Sequence, residues 1–418
     1  MVYKTKKPKK NLTKAEELTL AKTQFNAYVR ARDNGHEDYI HMAKKCDAYY
    51  RGEQWDDFDM QQLDDQGRPA LTINTILPTI NAVLAEQSTK KADIQFKPRG
   101  GGNQEIADVL TQVYAQVADN NKLDWIEAQV FSDGLIQDRG YFDVRIDFDD
   151  HVNGEIKIEA KDPLDVLIDP DAKHYDPRTW NEIFETKWMS IDEIEETYGQ
   201  AKADKLRFLA ETGTTLGADS MEFEESRYRD TDEYNYGQQY PGDPENARML
   251  RSIRVIERQY YKLDDCMYYV DPVTGDKRKI PNAWGKKKRE EFADTYGLGI
   301  ISKKMRRVRW TVTADTVVLF DDYSPYDHFT IVPYFPYFRR GKPFGMVRNL
   351  LSPQEQLNKI TSQELHIVNT TANSGWIVES GSLSGMTADD LEEHGAETGL
   401  VLEYNRGSTP PAKIPPNQ

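Results

Sequence analysis

At 418 residues the chain is long enough for roughly two to four domains of ordinary size, each with its own core. Hydrophobic residues make up 38%, and no apolar run reaches the ~20 residues of a bilayer-spanning helix, so the expectation is a soluble protein with no membrane partner, made in a reducing cytoplasm. The net charge of −16 argues against a protein that grips nucleic acid over most of its surface; it suits a conduit past which DNA slides, and many acidic enzymes as well.

The first residues, MVYKTKKPKK, read as a flexible basic arm over 1–12. Thr13 with Glu16 forms a capping box that opens a helix to about Asp33. Asn34-Gly35 breaks it, and a second helix runs to Arg51 before Gly52. Tyr49, Tyr50 and Trp55 form an aromatic packing cluster. Arg68-Pro69 leads into a helix with Ile73, Ile76, Leu77, Ile80, Val83 and Leu84 at helical spacing, and Ile94 to Lys97 reads as a short strand. Further helices are expected over Gln104 to Asn120, with Ile106, Val109, Leu110, Val113 and Val117 on one face, and over Leu123 to Asp138. Tyr141 to Asp149 and Glu155 to Ala160 alternate as a hairpin across Asn153-Gly154. A turn-rich stretch, Asp162 to Pro177, precedes a strand over Ile183 to Met189, and Ser190 with Glu193 caps a helix over Ile191 to Tyr198.

Residues 212–250 crowd acids, tyrosines and turn formers without apolar periodicity, which predicts a long loop or linker. From Arg251 the alternation predicts strands, then a helix over Lys286 to Tyr296, and strands over Lys303 to Val312 and Thr316 to Phe320. Between Lys277 and Arg309 twelve Lys or Arg stand against three acids, a basic island in an acidic chain. Its candidate surface residues are Lys286, Lys287, Lys288, Arg289, Lys303, Lys304, Arg306 and Arg307. The two cysteines, Cys46 and Cys266, lie far apart and read as structural thiols.

Ser352, Pro353 and Glu355 predict the start of a helix that nothing interrupts before Gly375. Leu357, Ile360, Glu364, Val368 and Thr371 give it one partly apolar face. Gln356, Asn358, Thr361, Ser362, Gln363, Asn369 and Thr370 make the rest polar but uncharged. Such a surface suits a helix that packs against copies of itself, or past which a charged polymer moves without being held; on periodicity alone an ordinary half-buried helix fits equally. Beyond it, Ala388 to Glu393 reads as a short helix, Leu400 to Tyr404 as a strand, and the Pro-rich end as extended chain.

Three blocks resemble, in order, the portal proteins of tailed bacteriophages, the podovirus-type head–tail connectors. They are YYRGEQWDD with GRPALTINTILPTINAVLAEQSTKKADIQFKPRG, then DPLDVLIDPDAKHYDPRTWNEIFETKWMSIDEIEETYG, and finally VPYFPYFRRGKPFGMVRNLLSPQEQLNKITSQELHIVNTTANSGWIVESGSL. The resemblance implies an α+β portal fold, with a wing over 13–211, a linker over 212–250 and a small α/β clip over 251–330. It further implies a channel-side stem over 331–375 and a return to the wing over 376–418, with the family's crown and barrel absent or truncated. It implies a homo-oligomeric ring, twelve-fold in that family, at one capsid vertex of the virion. Such a ring nucleates assembly with the major capsid protein and scaffold, docks the terminase large subunit, and passes double-stranded DNA inward. It later holds the tail adaptor proteins and lets DNA out. Gln356, Lys359 and Gln363 are then expected at the channel or subunit interface, and the basic set on the clip. No cofactor is implied.

Enzymatic signatures are missing. Gly341-Lys342 precedes a proline and has no upstream P-loop glycine, so the packaging ATPase is not this chain. The histidines are scattered, and no G-x-S-x-G occurs. The alternatives are a metal-dependent DNA nuclease using Asp147, Asp149, Asp150 or Asp169, Asp171, and another head–tail adaptor or structural protein of the virion.

Overall fold

The computed structural model describes residues 13–90, 94–99, 102–148, 153–212, 221–223, 251–272, 275–280, 284–372, 375–395 and 400–414. Its helices are α1 (Lys14–Ala31), α2 (Glu37–Arg51), α3 (Asp57–Asp65), α4 (Ile76–Thr89), α5 (Gln104–Asn121), α6 (Leu123–Gln137), α7 (Ile191–Tyr198), α8 (Gln200–Thr212), α9 (Lys286–Tyr296), α10 (Val347–Ala372) and α11 (Ala388–His394). The strands are β1 (Gly140–Asp147), β2 (Glu155–Lys161), β3 (Val166–Ile168), β4 (Glu182–Ser190), β5 (Met221–Phe223), β6 (Arg251–Val270), β7 (Lys277–Lys279), β8 (Gly299–Ala314), β9 (Val317–Tyr323), β10 (Ile331–Tyr334), β11 (Tyr337–Arg339), β12 (Lys342–Phe344), β13 (Trp376–Ile377) and β14 (Ala412–Lys413). The fold is α+β, and the chain divides into one unit of residues 1–46 and 82–348 and another of 47–81 and 349–418.

The larger unit is built on an antiparallel sheet in the order β3-β4-β6-β8-β9, with β5 and β7 also paired to β6. Strand β6 binds β4 through Glu182–Ser190 and β8 through Gly299–Ala314, so one long strand joins regions far apart in sequence. Ile253, Val255, Val312 and Leu319 form an apolar layer under Ile194 of α7 and Leu206 of α8. A second core gathers Tyr141, Trp180, Ile183, Phe329 and Phe335 around the three-stranded sheet β10-β1-β2. Helix α9 closes the far end of β6, where Trp284, Phe292 and Ala293 pack on Tyr269 and Ile280.

Several predicted elements match. Thr13 and Ser190 both make reciprocal capping boxes, with Glu16 and Glu193. Asn34 and Gly35 leave helical dihedrals between α1 and α2. The hairpin pairs Tyr141 with Lys161 through Asp147 with Glu155. Helix α9 has the predicted ends, and α11 starts at a Thr387 cap.

Others are corrected. Ile94 to Lys97 is irregular chain, because the Phe96 N–H is taken by the Thr111 hydroxyl at 3.1 Å rather than by a strand. Helix α8 was missed; Ala203 and Leu206 are its buried anchors. Leu400 to Tyr404 contributes only a single bridge, Leu383 to Tyr404. Of the predicted linker, Met221–Phe223 forms β5 on the edge of β6, while most of 212–250 lies outside the described residues, as does the basic arm 1–12. The aliphatic stripe of α5 is real but faces outward, with Ile106 at 60% and Val109 at 56% exposure.

Candidate functional site

Helix α10 begins at Val347 rather than at Ser352, which leaves Pro353 inside it. The reason lies 200 residues upstream. The buried Asp138 carboxylate accepts the Gly345 N–H at 2.6 Å and holds the Arg348 guanidinium at 3.0 Å, while the Leu135 carbonyl accepts the Met346 N–H at 2.9 Å. The two residues that lead into the helix are therefore pinned to the end of α6, and the helix starts there without Ser352. Gly345 is required there, since a Cβ would sit 2.7 Å from the Leu135 carbonyl oxygen.

One face of α10 is a ladder of neutral polar groups. Gln354, Asn358 and Ser362 recur at four-residue steps and are buried. Gln354 donates to the Ile73 carbonyl at 2.6 Å and accepts from the Thr75 N–H at 3.2 Å. Asn358 accepts the Ile73 N–H at 3.1 Å and donates to the Gln54 side chain at 2.7 Å. Ser362 accepts the Leu71 N–H at 2.9 Å. The extended segment 71–75 thus obtains from side chains the hydrogen bonds that a sheet would otherwise supply. Part of the amide richness predicted to be exposed is instead structural. The readable signal was Gln-x3-Asn-x3-Ser beside a segment, Leu71 to Thr75, with no strand partner.

Gln356, Lys359 and Gln363 all lie exposed on this helix. The Lys359 ammonium binds Glu355 at 2.7 Å and Asp59 of α3 at 3.5 Å, and these carboxylates, Glu355 foremost, raise its pKa. The one lysine in the middle of α10 is therefore already neutralised locally. Lys359 and Gln363 also border a cavity of about 270 Å³ between α3 and α10, lined by Trp55, Leu63, Arg68 and Pro69 among others. Gln356 is not among its lining residues.

The basic candidates divide. Lys286, Lys287 and Lys288 are exposed on the first turn of α9, and Lys303 and Lys304 on β8. Lys288 lies 4.7 Å over the Trp284 ring, and the Arg289 guanidinium meets the Met267 sulfur at 3.0 Å. Arg306 donates to the Trp180 carbonyl at 2.9 Å and stacks 3.9 Å from the Tyr261 ring centre. Arg307 is tied to Asp264 at 2.5 Å. The lysines are presented outward; Arg306 is exposed too but is engaged by Trp180 and Tyr261, and Arg307 is half-buried against Asp264.

The acidic candidates serve local structure. Buried Asp169 accepts the N–H groups of Asp171 at 3.0 Å and Asn181 at 2.9 Å, and Arg30 lies 3.8 Å away. Asp171 also faces Arg30, at 3.6 Å. Asp147 lies 3.8 Å from Lys157, and Asp149 and Asp150 fall outside the described residues. Among the described residues no group of three or more His, Cys, Asp or Glu could hold a metal ion, and no helix is long and apolar enough to cross a membrane.

No curated protein matches the chain in sequence. The family model for the phage P22-like portal protein matches residues 25–418, nearly the whole length, and the chain belongs to that family of bacteriophage head–tail connector proteins.

Proposed function

We propose that identical copies of this chain form a closed ring at one capsid vertex, twelve-fold as the resemblance implies, through which double-stranded DNA is packaged and later ejected. In this reading residues 13–211 are the wing, 251–330 the clip, 331–375 the stem, and 376–418 a return to the wing. Gln356, Lys359 and Gln363 lie at the channel or the subunit boundary. The exposed lysines of α9 and β8 face the terminase large subunit, the tail adaptors or emerging DNA phosphate. The major capsid protein and scaffold meet the ring from the shell.

The observation that carries the reading is the outer surface of α10. Its amide side chains bear no charge, and Lys359 is offset by Glu355 and Asp59. A conduit must not hold phosphates tightly, because each fixed contact would slow a translocating duplex. The ladder beneath fixes the helix, so that a neutral face can be presented without yielding to the DNA.

Electron microscopy and native mass measurement on the purified chain test this. Rings with a central hole and a mass near twelve subunits are expected. A chain that stays monomeric at high concentration overturns it.

A further inference from the structure

At about 100° per residue, Leu357, Ile360, Glu364 and Ile367 fall within an arc of about 80° on α10. The three aliphatic members of this seam are 37%, 57% and 50% exposed. Lys359, Ser362, Gln363 and His366 border the cavity against α3. Their arc is centred about 130° from the seam, with Gln363 at its edge, and Gln356 lies between the two. The buried ladder of Gln354 and Asn358 occupies the side away from Gln356. A helix so divided carries two different docking sides flanking a neutral stripe. That is what each member of a ring needs, because a heterologous contact closes only if every copy offers one face to each neighbour.

The two sides also match in chemistry. The seam is aliphatic around one charge, Glu364. The cavity has apolar walls from Trp55, Leu63 and Pro69, and carries Arg68 on its lining. Lys359 is answered by Asp59 and Glu355, whereas the Arg68 side chain is exposed. The backbone of Arg68 is held in place: its N–H bonds the Leu63 carbonyl at 2.8 Å, and the Gly67 N–H bonds Asp64 at 2.9 Å. With Gly67 at φ +62° this is a Schellman close to α3, and it sets Arg68 at a defined position beside the cavity.

Resting on the ring reading above, we propose that the cavity between α3 and α10 of one copy receives the Leu357–Ile360–Glu364–Ile367 seam of the next, with Glu364 against Arg68. The interface is thereby distinguished from the DNA-facing stripe, which is left to Gln356, with Gln363 at the border between the two.

Charge exchange in the full-length protein tests it, read by the concentration at half-assembly in sedimentation at low salt. Glu364→Arg and Arg68→Glu should each raise that concentration about tenfold or more, because like charges then meet at the contact. The double exchange should return it to within about threefold of the parent, the mark of direct coupling. Hydrogen exchange on the monomers checks that each variant is folded. Rings that tolerate both single changes, or a double variant that does not recover, overturn this contact while leaving the ring reading standing. A parent chain that forms no ring overturns both.

Discussion

The unit of residues 1–46 and 82–348 buries charges, whereas the unit of residues 47–81 and 349–418, among its described residues, buries amides and hydroxyls. In the first, Arg145 bridges Asp143 at 2.5 Å, Glu185 at 2.9 Å and Glu257 at 2.8 Å, with Lys161 3.4 Å from Glu185. In the second, Gln54, Gln354, Asn358 and Ser362 link α10 to the 71–75 segment without one ionised group. Both solutions satisfy buried polar atoms. They differ in what they respond to. Ionised groups expose the larger unit to pH, while an amide ladder gives α10 a fixing that acid does not alter.

Breaking the charged side should have the largest effect. Burial alone would lower the Arg145 pKa, but Glu257, Asp143 and Glu185 outweigh it and hold the guanidinium charged. Arg145→Met leaves those carboxylates crowded in a poorly solvated site, with Lys161 and Lys187 as the remaining cations. A loss of about 4 kcal/mol is expected, read as hydrogen exchange on peptides covering 140–147. Exchange unchanged there would mean that the cluster is solvated well enough to forgo its arginine.

Acid should come next. Burial, and then the Arg139 charge, lower the His36 pKa from 6.5 to about 4, against the opposing hydrogen bond to the Leu164 carbonyl. The unfolded chain therefore binds the proton first, so stability is full above pH 6.5 and falls as pH drops toward 4. The loss approaches about 3 kcal/mol at the bottom of that window. Glu159 extends the fall below the ordinary carboxylate range. Burial raises its pKa, but the Lys157 and Lys161 hydrogen bonds bring it down to about 2. His36→Gln can still donate to Leu164 and has nothing to titrate, so its unfolding profile should be flat from pH 6.5 to 5. A slope that survives the substitution would assign the acid response to other groups.

The contrast between the units also marks where sequence reading worked. Capping boxes at Thr13 and Ser190, the Asn34-Gly35 break and the 141–161 hairpin are all local: their partners lie within a few residues, or across one turn. Helix α10 starts earlier than Ser352 because Gly345 and Met346, the residues leading into it, are bonded to Asp138 and Leu135, which no local pattern reveals. The α5 stripe and the ladder show the same limit from two sides. Periodicity identifies a face but not what covers it: Ile106 and Val109 are exposed, while Gln354 and Asn358 are buried. For the candidate residues, placing Gln356, Lys359 and Gln363 on one helix was within reach. Recognising that Lys359 is neutralised by Asp59 required the fold.

The smallest expected effect tests the neutral side of the comparison. Asn358→Leu keeps the volume of the side chain roughly and removes its hydrogen bonds. The Ile73 N–H loses its acceptor and Gln54 loses its donor, in a site where Asn358 itself is 1% exposed. A loss of about 2 kcal/mol follows, since unmet buried groups cost more than a made hydrogen bond gains. Exchange of the 71–75 amides should therefore accelerate about thirtyfold, at tenfold per 1.4 kcal/mol. The loss should be equal at pH 7 and pH 5 once intrinsic exchange rates are divided out, because none of the ladder groups ionises in that range. A pH-dependent loss would mean that the ladder is coupled to a carboxylate, for which Glu355 on the same helix is the nearest candidate in sequence, and α10 would then share the acid response of the other unit.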